Sequence, residues 1–182
     1  MPRGLGLVLD EDRGALPYTL VHGEALVACA AWALGEAGID LVDASVPWSG
    51  LVESGGDLVL HDALCPTAPP AFLAACLDRA RETGHVVVGV RPVTDTVKVV
   101  ADGVVGPTLD RDGLLAIASP LVLPAAVLAS LAQRPSPDLA RAVGDLAAAG
   151  HRVETVEAPP EGRRVASAED VRLLEALTRP LR

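Results

Sequence analysis

Aromatic side chains are nearly missing from this chain. They make up 2% of its 182 residues and amount to Trp32, Trp48, Tyr18 and Phe72. A core built on rings is therefore excluded, and Leu, Val and Ala must fill the interior. Lysine is scarcer still. Lys98 stands alone against fourteen arginines, and the richness in Ala, Val, Arg, Gly and Pro points to a GC-rich genome rather than to any activity. The formal net charge is −9, so the basic footprint that nucleic acid requires is missing and no such partner is expected. A small anion could still be held by a few local arginines. Cys29, Cys65 and Cys76 form no CxxC pair and no Cys/His metal spacing. Their odd number, with no leader recognised, sets the expectation of reduced thiols in the cytoplasm. The apolar run that ends at Leu9 is too short for a signal or membrane segment, so no membrane partner is expected.

What remains is half hydrophobic, enough for one domain over residues 1–182. Short apolar runs alternate with helical stretches. Strands are expected at 4–9, 39–42, 57–60, 85–90, 114–118 and 152–156. Helices are expected at 25–37, 70–83, 124–132, 139–149 and 168–177. Gly38, Gly84 and Gly150 close three of these helices, and Ser167 caps the last with Asp170 at its third position. The stretch 47–56, rich in Pro, Ser and Gly, reads as loop. Residues 97–100 and 103–109 read as two arms of a hairpin around Asp102-Gly103, an arm of about 96–110. Strand–helix alternation of this kind gives an α/β fold, a mainly parallel sheet flanked by helices. Ligands in such sheets sit at the carboxyl ends of strands, so the loops after Leu9, Leu60 and Val90 are the candidate site.

Four stretches carry chemistry in a fixed order. His61-Asp62-Ala63 follows a strand. Pro92 to Lys98 reads PVTDTVK, Leu109 to Leu114 reads LDRDGL, and Val156-Glu157 leads to Ala168-Glu169-Asp170-Val171. A weaker fifth runs from Leu16-Pro17 to Leu26. Together they resemble the 2-C-methyl-D-erythritol 4-phosphate cytidylyltransferases, with their HDA, PVxDTxK, VDRxxLW and closing PEDL motifs. The resemblance spans most of the chain. It implies a Rossmann-like fold with a projecting β-hairpin arm, a homodimer joined through that arm, and transfer of CMP from CTP to a small phosphorylated substrate with magnesium. It further implies that Thr96, Lys98 and Arg111 contact the substrate, partly across the dimer. Ser119 and Arg164 take the positions of the family's Thr or Ser before Pro and of its late lysine. Asp62 matches the acid that contacts both substrate and magnesium.

The departures gather in the nucleotide half. Where a glycine-rich loop should cradle a triphosphate, the chain has Leu9-Asp10-Glu11-Asp12-Arg13-Gly14. Tyr18 replaces a lysine, Cys65 an arginine, and only residues 38–60 separate the first helix from His61, too few for the segment that reads cytosine and ribose. Arg13 and Asp62 are left as the candidate catalytic pair. Two classes stay open: a divergent cytidylyltransferase with weak or lost activity, and a non-catalytic dimeric binding or regulatory module. Bland readings stand beside each residue. Asp62 could cap a strand end, His61 could be structural, Lys98 and Arg111 could be solvated charges, and Cys65 could be a small buried residue. Asp10, Glu11 and Asp12 could be a solvated loop or, with Asp62, an oxygen-rich magnesium site.

Overall fold

The computed structural model describes residues 4–179. Its strands are β1 (Leu5–Leu9), β2 (Leu20–Val21), β3 (Glu24–Ala25), β4 (Asp40–Leu41), β5 (Leu58–Asp62), β6 (Val86–Pro92), β7 (Val97–Ala101), β8 (Val104–Leu109), β9 (Leu115–Leu123) and β10 (Val153–Glu157). Its helices are α1 (Leu26–Glu36), α2 (Trp48–Glu53), α3 (Pro70–Thr83), α4 (Ala125–Ser130), α5 (Leu139–Ala148) and α6 (Ala168–Leu177). The main sheet runs β10-β6-β9-β5-β1-β4. Every pairing in it is parallel except those of β9, which lies antiparallel between β5 and β6.

Alternation along the central strands builds a core on each face. Leu58, Leu60, Val86, Val88, Leu121 and Leu123 face α4 and α5. Val59, Val87 and Val122 face α1 and α3. Because both faces are covered, β5 and β6 are apolar almost throughout, as buried parallel strands are. Each fully buried Leu or Val adds roughly 1.5–3 kcal/mol of transfer free energy. A smaller cluster of Val21, Leu26, Leu64, Val165, Val171 and Leu174 pins α6 to the rest.

Two local expectations are corrected, and one hairpin is added that the sequence reading did not include. Residues 47–56 are not all loop: α2 forms there, with Leu51 buried and the Trp48 indole N–H bonded to the Leu131 carbonyl at 3.1 Å. The strand expected at 114–118 continues through Pro120 to Leu123. A two-residue hairpin, β2–β3, turns at His22-Gly23, both with positive φ. Elsewhere the match is close. α3 and α6 have the expected bounds, and the Ser167 hydroxyl accepts the Asp170 N–H at 3.1 Å.

The arm is present as a separate two-stranded sheet, β7–β8. Ala101 pairs with Val104, so Asp102 and Gly103, at φ 51° and 78°, make the two-residue turn that suits a twisted hairpin.

Candidate functional site

β1 and β5 end side by side, with Leu9 opposite Asp62 in the parallel register. The chain then leaves β1, turns through Asp12 at φ 59°, and brings Arg13 back over Asp62. Arg13 Nε donates to Asp62 Oδ1 at 2.7 Å and its Nη2 to Oδ2 at 3.0 Å. Arg164, on the loop after β10, donates Nε to the same Oδ2 at 3.0 Å. The Leu64 backbone N–H completes the set on Oδ1 at 2.9 Å. A carboxylate offers about four lone-pair positions. All of those on Asp62 are in use. Arg13 is fixed further by the Pro137 carbonyl at 2.8 Å and by the Glu11 carbonyl.

Asp62 is 3% exposed. Burial pushes its carboxyl up, but the hydrogen bonds from Arg13, Leu64 and Arg164 and the charge of Arg13 outweigh that, holding it below the usual carboxylate range. Behind it, Ser119 Oγ accepts the Asp62 N–H at 2.9 Å and meets His61 Nδ1 at 2.5 Å. His61 is fully buried, and burial brings its pKa down to about 4, the Asp62 charge opposing. Among the described residues its Nε2 has no hydrogen-bond partner. Gly89 is required here. A Cβ on it would lie 2.5 Å from the Ser119 carbonyl oxygen, so only glycine lets β6 pass this close to β9.

In front of Asp62 opens a cleft of about 650 Å³. Its charged walls are Asp12, Asp62 and Asp138 against Arg13, Arg141 and Arg164, an even balance. The N-terminus of α5 faces it, but Asp138 already accepts the N–H groups of Ala140 and Arg141. The two amides most suited to an anion are therefore satisfied from within.

The other residues singled out in the sequence divide into three groups. Arg13, Asp62 and Arg164 are brought together. Ser119 is fully buried, with its hydroxyl turned to His61 and the Asp62 amide. Thr96, Lys98 and Arg111 line neither this cleft nor its neighbour on their own chain. Lys98 Nζ donates to Thr108 Oγ1 at 2.5 Å across the arm, and Arg111 donates to the Thr94 carbonyl at its base. The acidic loop does not converge on Asp62. Asp10 accepts the Tyr18 hydroxyl at 2.9 Å, and Glu11 accepts Arg134 at 2.9 Å. Among the described residues no group of three His, Cys, Asp or Glu side chains could hold a metal ion. Magnesium, expected at Asp62 with or without this loop, does not fit the donor set. Cys65 is buried, and burial pushes its thiol up to about 12, which leaves it an inert core residue. Asp138 and Arg141 were missed in the sequence, where an Asp ahead of an amphipathic helix signals a cap and nothing more.

The family model for 2-C-methyl-D-erythritol 4-phosphate cytidylyltransferase matches residues 49–179. The chain belongs to this family. Among its relatives, the 2-C-methyl-D-erythritol 4-phosphate cytidylyltransferase of Nocardia farcinica is 37% identical over 125 residues, covering 67% of this chain and 53% of that protein. That of Lysinibacillus sphaericus is 35% identical over 130 residues, covering 68% and 54%. The aligned part thus spans about half the length of these cytidylyltransferases. A crystal structure of a 4-diphosphocytidyl-2C-methyl-D-erythritol synthase superposes with a TM-score of 0.74 at 18% identity, covering 97% of this chain and 99% of that one. The cytidylyltransferase from Thermus thermophilus gives 0.70 at 19% identity, covering 96% and 98%. These likenesses carry the fold: a Rossmann-like α/β sheet with helices on both faces. The cytidylyltransferase family match begins beyond the loop from Asp10 to Gly14, where the sequence departs most. Among the described residues no helix is long and apolar enough to cross a membrane.

Proposed function

We propose that this chain is a divergent member of the cytidylyltransferase family in which transfer of CMP from CTP to 2-C-methyl-D-erythritol 4-phosphate is weak or lost. One observation carries the reading. Asp62, the acid expected to meet substrate and magnesium, is saturated by Arg13, Arg164 and the Leu64 amide. A metal ion could reach it only by displacing Arg13, which is buried, or Arg164, which is partly exposed. The even charge balance of the cleft gives a triphosphate no net attraction, and each nearby carboxylate opposes it by roughly 1 kcal/mol or more.

The second reading, a dimeric binding or regulatory module, is favoured by the arm. Val100, Val104 and Val105 are each more than 60% exposed on a ribbon that does not pack on its own sheet. A two-stranded ribbon is marginal in water, and a two-fold partner would bury these valines reciprocally. Such a dimer would also carry Thr96, Lys98 and Arg111 toward the partner's clefts, where they remain the proposed substrate contacts. A cytoplasmic setting fits the three free thiols.

Pyrophosphate release with CTP, magnesium and methylerythritol phosphate separates the readings. Release at the uncatalysed background is expected, and steady turnover would overturn the loss of activity.

A further inference from the structure

α1, the segment leading into α3 and the β2–β3 hairpin enclose a cleft of about 580 Å³ that shares no lining residue with the Asp62 cleft. Cys29 and Trp32 stand three residues apart on α1, so they present one face of the helix to it. Pro66 and Pro69 line the opposite side, where their rings fix the backbone and hold the wall in place. Most polar side chains on the rim are spent on the protein itself. His22 Nε2 and Thr178 Oγ1 bond to each other at 2.7 Å, and the Thr67 hydroxyl donates to the Glu161 carbonyl at 2.6 Å. Glu24 is the exception. It is the one carboxylate on the lining, and it has no hydrogen bond or ion pair among the described residues. No described lysine or arginine lines the cleft, and Arg179, next to Thr178 in sequence, is not part of its walls. The Cys29 thiol is pushed up by burial and by the charge of Glu24, so it stays neutral and brings no charge of its own.

Trp32 is 63% exposed, whereas the other indole, Trp48, is tied to the Leu131 carbonyl. A single exposed apolar side chain needs no explanation. An open indole on the wall of a concave, mostly apolar cleft beside an unpaired carboxylate is a more specific combination. We propose that this cleft binds a small organic cation, an ammonium group carried on an apolar body, with Trp32 against the cation and Glu24 as its counter-charge. Indole is the aromatic face that attracts cations best, and the carboxylate adds Coulomb attraction. The prolines offer the apolar body a preformed surface, which lowers the ordering cost of binding. The same carboxylate repels anions. The site is independent of the Asp62 cleft and of whether CMP transfer survives.

NMR titration of the full chain with benzyltrimethylammonium tests this, with benzyl alcohol as the neutral control. The chain has two indole N–H groups, and the Trp32→Phe variant assigns them. Saturable displacement of the Trp32 signal by the cation is expected, with the Trp48 signal unmoved and benzyl alcohol at least about fivefold weaker. Glu24→Gln and Trp32→Leu should each weaken the cation about fivefold, the scale of one exposed cation–π or charge contact. Both residues are exposed, so neither substitution opens the core. Glu53→Gln removes the same charge from an exposed position on α2 and should leave affinity within about twofold. Absence of a saturable Trp32 shift, equal binding of benzyl alcohol, or an equal loss in Glu53→Gln would overturn the proposal. So would a Trp32 signal that moves with protein concentration alone, because a second copy of the chain would then cover the cleft.

Discussion

Arg13 and Asp62 are joined by two hydrogen bonds, Nε to Oδ1 at 2.7 Å and Nη2 to Oδ2 at 3.0 Å, with side chains only 6% and 4% exposed. The pair crosses from the loop after β1 to the end of β5 and closes the place where strand ends leave room for a ligand. A buried ion pair of this kind adds little net stability when intact, yet breaking it leaves an uncompensated charge.

Asp62→Ala should therefore destabilise the fold by about 3–5 kcal/mol, because Arg13 would stay buried without its counter-charge. Arg164→Ala should cost under about 1 kcal/mol, since that side chain is 43% exposed and screened by solvent. Urea unfolding of the two variants measures both. Equal losses would mean that the Arg13 contact is not the dominant one.

Acid should weaken the protein in two stages. Unfolded, His61 titrates at its ordinary 6.5, and folded only at about 4, because burial disfavours the imidazolium. Between these values the unfolded chain binds more protons, so stability falls as pH drops, by about 3 kcal/mol across the window. Asp62 adds a second loss at lower pH. Its folded carboxyl titrates below the ordinary 3.8, so the stability it contributes above that value disappears as pH falls through the lower one. Unfolding free energies measured between pH 7 and 4 check the first stage. A flat profile there would rule out a neutral, buried His61.

Gly89→Ala should cost about 1–3 kcal/mol, the range for an overpacked core. The added methyl would meet the Ser119 carbonyl, a backbone atom of β9 that cannot swing aside. Thermal melting of the variant reads this out, and an unchanged midpoint would show that β6 and β9 can separate without cost.

The arm prediction concerns assembly. Val100→Glu and Val105→Glu place charge on one face of β7–β8, where the two residues pair, and should turn a dimer into a monomer at the same protein concentration. Light scattering gives the mass directly. A parent chain that is already monomeric at high concentration would end the dimer reading.

Much of this architecture could be read from local signals. α3 starts at a proline and stops at Gly84, and α6 starts from Ser167, so residue type alone marks their ends. α2 was hidden because Pro47, Ser49 and Gly50 signal a turn, while the burial of Leu51 and the bond from Trp48 to Leu131 come from distant parts of the chain. β9 was cut short because Pro120 reads as punctuation, although the strand passes through it. The candidate site was legible as a set of residues but not as a network. Asp62 meets Arg13 and Arg164 across 49 and 102 residues of sequence, and no local pattern encodes those contacts.

Saturation of Asp62 by its own arginines is the claim on which the functional reading rests, and titration of the chain with CTP in excess magnesium tests it most directly. With the carboxylate occupied and the cleft in charge balance, calorimetry should register no binding tighter than about millimolar, or roughly −4 kcal/mol. Micromolar affinity that depends on magnesium would contradict it, because the ion would then have displaced Arg13 or Arg164 from Asp62.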